Sequence, residues 1–276
     1  MSSPLGDPIL ENSAPSQRAI WAPRWWAVFL IGLALWIATI GAAYLTTNLI
    51  LLPTIVLIGS FLVPVTAVVW NLDHDPSPEL SPRRILGAFI VAGVVGVLGA
   101  SVLEYYFVGG GVTGFLEVGL IEEFVKGLLI LAVAWGIHSY RTKDGMVLGA
   151  TVGFGFAALE SSGYALVSLF VIHGHQLFLS VISVITTELI RGVLAPFGHG
   201  MWSALLGGVI FSAARHGRLR MAWSVLGAFV LIVILHGAFD TFSGIIGYLV
   251  VSAVGLIPLV WLWRRADTID MRRRIN

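Results

Sequence analysis

FLEVGLIEEFVKGLLILAVAWGI, residues 115–137, is the stretch on which the fold depends. As a helix rising about 1.5 Å per residue it would be about 34 Å long, which is enough to cross a bilayer. Beyond its first turn, which holds Glu117, the charged residues Glu122, Glu123 and Lys126 lie inside it. Each charge costs about 2.5–3.5 kcal/mol near the bilayer centre, and each large apolar residue returns only about 0.3–0.6 kcal/mol. The segment is marginal as an isolated span, so the folded protein must provide partners for these charges.

The three charges fall on one turn of the predicted helix. At roughly 100° per residue, Lys126 lies about 40° from Glu122 and about 60° from Glu123. A structural ion pair would account for the lysine and one carboxylate, but it leaves the second carboxylate unexplained. Two acids beside one base are a combination that general acid–base catalysis uses, so we predict a catalytic role for this turn and keep structural pairing as the alternative.

The composition indicates a membrane protein and excludes several kinds of site. Hydrophobic residues make up 57% of the chain and charged residues 11%, whereas soluble domains have about 45–50% and about 25%. The absence of cysteine excludes disulfides, thiolate nucleophiles and cysteine-bound metals, so any metal must be held by His and carboxylate groups. No basic domain is present that could bind nucleic acid.

The apolar segments predict an all-α polytopic membrane protein with about eight transmembrane helices. The predicted spans are residues 25–45, 49–70, 85–107, 115–137, 146–171, 193–213, 221–240 and 246–263. We expect a disordered cytosolic tail over residues 1–24, a transmembrane domain over residues 25–263 and a basic cytosolic tail over residues 264–276. Residues 172–193 include an apolar stretch that is short and ends at two charged residues, so we predict an interfacial or re-entrant helix there.

The basic residues orient this arrangement. All of the 16 Lys and Arg residues except Lys126 and Arg191 fall in tails and loops that eight spans place on one side. The positive-inside rule makes that side the cytosol, so both termini are expected to be cytosolic.

Further polar residues lie within the other predicted spans. Glu160 interrupts the apolar stretch GATVGFGFAALESSGYALV, residues 149–167, and His199 lies in the next span. His236 and Asp240 are four residues apart on one helical face, where an aspartate can orient an imidazole or share a metal with it. Taken alone, each of these residues can be explained as an ordinary packed or solvent-exposed side chain with no functional role. Four helices nevertheless place acids and imidazoles in the same outer half of the bundle, so we predict a polar site there.

Carboxylates, imidazoles and water are suited to hydrolysis. A carboxylate, or a Zn²⁺ held by His and carboxylate groups, can activate water toward an amide carbonyl while a second acid protonates the leaving amine. Neither the G-x-S-x-G nucleophile motif nor the H-E-x-x-H zinc motif is present, so any metal ligands must come from separate helices.

At these residues the sequence resembles the PrsW-type intramembrane proteases. EEFVK (residues 122–126) is similar to their E-E-x-x-K motif, and FAALE (residues 156–160) is similar to their F-x-x-x-E motif. His199 and HGAFD (residues 236–240) resemble their later histidine motifs, and the resemblance covers about residues 85–245. In the related CAAX prenyl proteases and Abi proteins the second motif ends in His, so Glu160 favours the PrsW branch.

The resemblance implies an integral plasma-membrane protease of bacteria. Its substrate would be a single-pass membrane protein, such as an anti-sigma factor, cut near its extracytoplasmic face. The implied catalytic residues are Glu122, Glu123, Lys126, Glu160, His199 and His236. The preferred Zn²⁺ ligands are Glu160, His199 and His236, with Asp240 as an alternate, and a glutamate-activated water without bound metal stays open.

Two other classes of function are compatible with buried charges. A proton-coupled or ion-coupled carrier also uses intramembrane carboxylates and histidines, but it needs access from both sides. The inner halves of the predicted spans are nearly all apolar, and the sequence has no internal repeat. A catalytically inactive scaffold would need only some of these residues.

Overall fold

The computed structural model describes residues 24–74, 77–111, 113–173, 176–242 and 244–275. Nearly all of the tail predicted for residues 1–24 therefore lies outside the described residues. The helices are α1 (Trp25–Thr46), α2 (Leu52–His74, preceded by a 3₁₀ turn Leu49–Leu51), α3 (Pro82–Val91), α4 (Val97–Phe107), α5 (Gly114–Val133), α6 (Thr142–Ser168), α7 (Val181–Ala195), α8 (Met201–Ser212), α9 (Trp223–Thr241) and α10 (Ile245–Ile275). The strands β1 (Phe170–His173) and β2 (Gln176–Leu179) form an antiparallel hairpin.

Two pairs of these helices are continuous rods. A π-helical turn at Ala92–Gly96 joins α3 to α4, and another at Pro196–Gly200 joins α7 to α8. The resulting rods run alternately between two ends of the bundle. We call the end that carries the β-hairpin and the α4–α5 connection the hairpin end, and the opposite end, where α1 begins and α10 finishes, the loop end.

The all-α membrane fold is confirmed, whereas the count of eight spans stays a prediction. Among the described residues, six rods are long and apolar enough to cross a membrane. These are Trp25–Thr46, Leu49–His74, Pro82–Phe107, Val181–Ser212, Trp223–Thr241 and Ile245–Arg273. The two remaining rods, α5 and α6, contain 20 and 27 residues and carry the charged motifs, which keeps them out of that set.

The prediction of a separate interfacial or re-entrant helix at residues 172–193 is wrong. The structure places a hairpin there, followed by the first half of a 32-residue rod, Val181–Ser212. The charges that suggested a break are satisfied inside the bundle. Glu188 accepts a hydrogen bond from Ser60 at 2.8 Å, and Arg191 pairs with Glu160 at 2.9 Å. A partnered charge does not end a span, since its cost is offset by protein contacts.

Helix α6 is the central helix, and its glycines determine how closely α8 approaches. A Cβ atom at Gly149 would overlap the carbonyl of Ser203, and one at Gly153 would overlap the carbonyl of His199. This small-residue face lets the two backbones touch, as the Gly149–Gly153 spacing indicates. The contact fixes the position of the His199 backbone beside α6.

Helix α10 continues through the segment predicted to be a basic tail. Asp270 accepts hydrogen bonds from the Thr142 backbone N–H at 2.9 Å and from its hydroxyl at 2.7 Å. These bonds satisfy a donor at the first turn of α6, where helices leave backbone N–H groups unpaired. The last turns of α10 are thereby attached to the loop end of the bundle.

Candidate active site

Lys126 is the centre of a buried charge cluster. Its ammonium nitrogen lies 2.9 Å from Glu122 Oε2, 2.9 Å from Glu123 Oε1 and 2.6 Å from His199 Nδ1. The Lys126 side chain is fully buried, and the ring of Phe156 lies 4.1 Å below the ammonium. The spacing of EEFVK therefore produces the three-residue contact that the sequence predicts, and α7–α8 contributes an imidazole to it.

His236 reaches the same cluster from α9. Its Nδ1 lies 2.9 Å from Glu123 Oε1, and its Nε2 lies 3.4 Å from Asp240 Oδ2 and 3.7 Å from Glu122 Oε2. Two carboxylates on opposite sides hold the imidazole ring in one orientation, which is how histidine ligands and bases are positioned in many sites. Asp240 is the accessible member of the group, with 30% of its side chain exposed.

Glu160 faces the cluster from α6, and each of its two carboxyl oxygens contacts one partner. Its Oε1 lies 2.9 Å from Arg191 Nη2, and its Oε2 lies 3.1 Å from His199 Nε2. The guanidinium of Arg191 also stacks on Tyr164 at 3.8 Å. Both ring nitrogens of His199 are thus engaged, one by Lys126 and the other by Glu160.

Aromatic rings enclose the imidazoles. Trp202 lies 5.0 Å from the His236 ring and 5.9 Å from the His199 ring, and Phe156 lies 5.6 Å from the His199 ring. The exclusion of water by these rings strengthens the electrostatic interactions among the charged groups, because the local dielectric constant is low.

Glu122, His199 and His236 form a group that fits a metal ion. One donor atom from each lies within 4.8 Å of the others, and all three residues are buried. Two imidazoles and one carboxylate form the ligand set of many catalytic zinc sites. The sequence favoured Glu160 as the carboxylate ligand, whereas in the structure Glu122 lies with the two histidines and Glu160 is bound to Arg191. Asp240 contacts His236 from outside the group.

Two residues that face this cluster were missed as site residues from the sequence. Arg191 was used only to mark a helix end, although it supplies the cation beside Glu160. Glu104, on α4, was not considered, although it interacts electrostatically with Glu122, Glu160, Lys126 and His236. The sequence pattern that could have identified Glu104 is a four-residue spacing, because Gly96, Ala100 and Glu104 fall on one helical face.

The arrangement is suited to adding water to a carbonyl compound. Paired carboxylates can accept a proton from water, cations and imidazoles can stabilise negative charge on oxygen, and further acids can return a proton. The site lies in the half of α6 and α9 nearer the hairpin end, since Glu160 and His236 are eight and five residues from the ends of these helices at Ser168 and Thr241.

Comparisons with known proteins agree with this chemistry. A family model described as PrsW family intramembrane metalloprotease matches residues 22–263. Protease PrsW of Bacillus subtilis is 31% identical over 174 residues, which cover 61% of this chain and 71% of that protein. Protease PrsW of Shouchella clausii is 27% identical over 181 residues, covering 65% and 76%. Protease PrsW of Halalkalibacterium halodurans is 25% identical over 157 residues, covering 56% and 66%.

No solved structure matches this chain. The relatives are bacterial proteins, and the matched family model extends over nearly all of the described helices. The motifs on α5, α6, α7–α8 and α9 also meet in one buried cluster. The chain therefore belongs to the PrsW family of intramembrane metalloproteases.

Proposed function

We propose that this protein hydrolyses one peptide bond of a single-pass membrane protein close to its extracytoplasmic face. The observation that carries the proposal is the convergence of Glu122, Glu123, Lys126, His199 and His236, from three rods, in one buried cluster. Its position toward the hairpin end supports the location of the cut. The basic residues concentrate at the opposite end, which the positive-inside rule assigns to the cytosol together with both termini.

The acids of α5 have the central role in the proposed mechanism. Glu122 or Glu123 accepts a proton from the attacking water, and Lys126 balances the charge of the pair from 2.9 Å. A zinc ion held by Glu122, His199 and His236 would supply Lewis-acid activation of water and of the substrate carbonyl. Glu123 and Asp240 keep His236 oriented, and Arg191 fixes the carboxylate of Glu160.

The test is cleavage of a defined substrate by purified protein in proteoliposomes. The substrate is a single-pass protein of the anti-sigma-factor type, with an epitope tag at each end. We expect Glu122→Gln and Glu123→Gln to lower the cleavage rate by about 10²–10⁴-fold, as removal of general acid–base groups does. Glu79→Gln is the matched control, because Glu79 accepts a hydrogen bond from the Ser139 backbone at the loop end, away from the cluster.

Two results would contradict the proposal. Full activity of both glutamine variants at normal folded levels would remove the acids of α5 from the mechanism. Uptake of protons or ions by the proteoliposomes, with no cleavage of any single-pass protein, would favour the carrier.

A further inference from the structure

Glu104 lies on the bundle-facing side of α4. Gly96, two turns earlier, packs against Leu129 of α5 and Phe156 of α6, and Ala100 is 2% exposed. Helices α4 and α5 are antiparallel neighbours, and a Cβ atom at Gly99 would lie 3.8 Å from Val125. At about 1.5 Å per residue, this pairing puts Glu104 about 3 Å nearer the hairpin end than Glu122.

One carboxyl oxygen of Glu104 is buried and has no hydrogen-bond partner. This oxygen is Oε1, and among the described residues Glu104 makes no ion pair. The charged groups that interact with it electrostatically lie on three elements: Glu122 and Lys126 on α5, Glu160 on α6 and His236 on α9. Leaving a buried polar atom unpaired costs roughly 1–3 kcal/mol. Such a group in a cluster of functional residues indicates a missing partner.

The other carboxyl groups of the site already have partners. Glu122 is bound to Lys126, Glu123 to Lys126 and His236, and Glu160 to Arg191. Glu123 has a further buried oxygen without a hydrogen bond, but its other oxygen contacts Lys126, and the two oxygens of Glu160 contact Arg191 and His199. Asp240 contacts His236. Among the described residues, Glu104 is therefore the carboxyl group of the site that contacts neither a cation nor a histidine.

We propose that Glu104 contacts the nitrogen of the scissile peptide bond and gives it a proton. This inference rests on the proposed function. Hydrolysis forms a C–O bond from water to the carbonyl carbon and breaks the C–N bond. One proton of the water passes to Glu122 or Glu123, and the leaving nitrogen takes the proton of the Glu104 carboxyl group and departs as an amine. Glu104 then regains a proton from the water at the hairpin end, and Glu122 or Glu123 releases the proton it had accepted, so both groups return to their starting states and one water molecule is consumed in total.

The geometry favours this division of roles between acids. The base and the proton donor must act on opposite sides of the peptide group, the base on the attacking water and the donor on the leaving nitrogen. Glu122 and Glu123 extend from α5, whereas Glu104 extends from α4 and lies closer to the hairpin end. A substrate segment entering from that end would meet Glu104 before the acids of α5.

The first test compares Glu104→Gln with Glu117→Gln. Glutamine keeps the size of glutamate and its hydrogen-bonding ability but has no proton to give. We expect Glu104→Gln to lower kcat by about 10²–10⁴-fold with little change in KM. Glu117, at the hairpin end of α5, accepts hydrogen bonds from Thr113 and the Gly109 backbone, so its variant controls for a lost acid in the same region.

A second test uses the absence of cysteine from the chain. A single cysteine at position 104, in the inactive Glu123→Gln protein, should form a disulfide under mild oxidation with a substrate cysteine on the amine side of the cut. A substrate cysteine on the carboxyl side should cross-link at least tenfold less. This measurement remains informative even if Glu104→Gln folds poorly.

The outcomes separate this inference from the proposed function. Wild-type cleavage combined with full activity of Glu104→Gln, or equal cross-linking on both sides of the cut, would overturn the role of Glu104 alone. A rise in KM at unchanged kcat would also overturn it, because Glu104 would then only bind substrate. No cleavage by the wild-type protein would overturn the proposed function itself.

Discussion

Replacement of Lys126 by methionine should destabilise this protein far more than replacement of an ordinary surface lysine. Methionine preserves most of the side-chain volume but removes the ammonium that touches Glu122 and Glu123 at 2.9 Å each. Both pairs are buried, and the Lys126 and Glu123 side chains have no exposed surface. Removing one member of a buried ion pair costs about 3–5 kcal/mol, because the remaining charge is left in a low-dielectric interior.

A matched control is available at the loop end. Lys143 pairs with Asp267 at 2.8 Å, which is as short as the Lys126 pairs, but 69% of the Asp267 side chain is exposed. Exposed pairs contribute about 0–1 kcal/mol, so Lys143→Met should have a small effect. The two substitutions are chemically identical and differ mainly in the burial of the pair.

The assay is thermal unfolding in detergent, followed by tryptophan fluorescence. In chains of this size, each kcal/mol of lost stability lowers Tm by about 2–4 °C. Lys126→Met should therefore lower Tm by roughly 6–20 °C. The double variant Lys126→Met/Glu122→Gln should recover part of the loss, because one of the two unbalanced carboxylates is then removed. Equal shifts for Lys126→Met and Lys143→Met, or no recovery in the double variant, would refute the reasoning.

Two further predictions concern the metal and the orientation of the chain. Elemental analysis of detergent-purified protein should find close to one zinc per chain, lost in His236→Ala and retained in His138→Ala, which changes an exposed histidine of the α5–α6 connection. Fully active protein without metal would favour a glutamate-activated water instead. Single cysteines at Thr113 and Gln176, at the hairpin end, should react with a membrane-impermeant thiol reagent from outside, and those at Ser139 and Arg218 only from the cytosolic side. The reverse pattern would contradict the proposed orientation.

The contacts within α5 could be predicted from the sequence because they are local. The spacing of Glu122, Glu123 and Lys126 puts them on one turn whatever surrounds the helix. The meeting of Glu160, His199 and His236 does not follow from local spacing, since it requires residues at similar depth on different helices to face one another. The structure brings them together, with His199 between Lys126 and Glu160.

Pairings between distant helices could not be predicted in the same way. Glu188 and Arg191 suggested the end of a helix, because a charge without a visible partner looks like a surface residue. Their partners, Ser60 and Glu160, are 128 and 31 positions away in the chain, so no local pattern reports them. The same limit hid Glu104, since the charged groups that interact with it lie on other helices.

The charge balance of the site gives an independent reason to expect a bound cation. Five carboxyl groups face one another around the cluster, whereas Lys126 and Arg191 are the permanent cations among the described residues there. The five acids are Glu104, Glu122, Glu123, Glu160 and Asp240. A membrane interior does not tolerate an excess of several negative charges, so the balance must come from bound protons or from a metal ion. A divalent ion held by Glu122, His199 and His236 would take the place of some of those protons. Metal binding to this protein should therefore release protons, and a calorimetric zinc titration in two buffers of different ionisation enthalpy would measure the number. A titration with bound zinc but no proton release would contradict this account of how the site is neutralised.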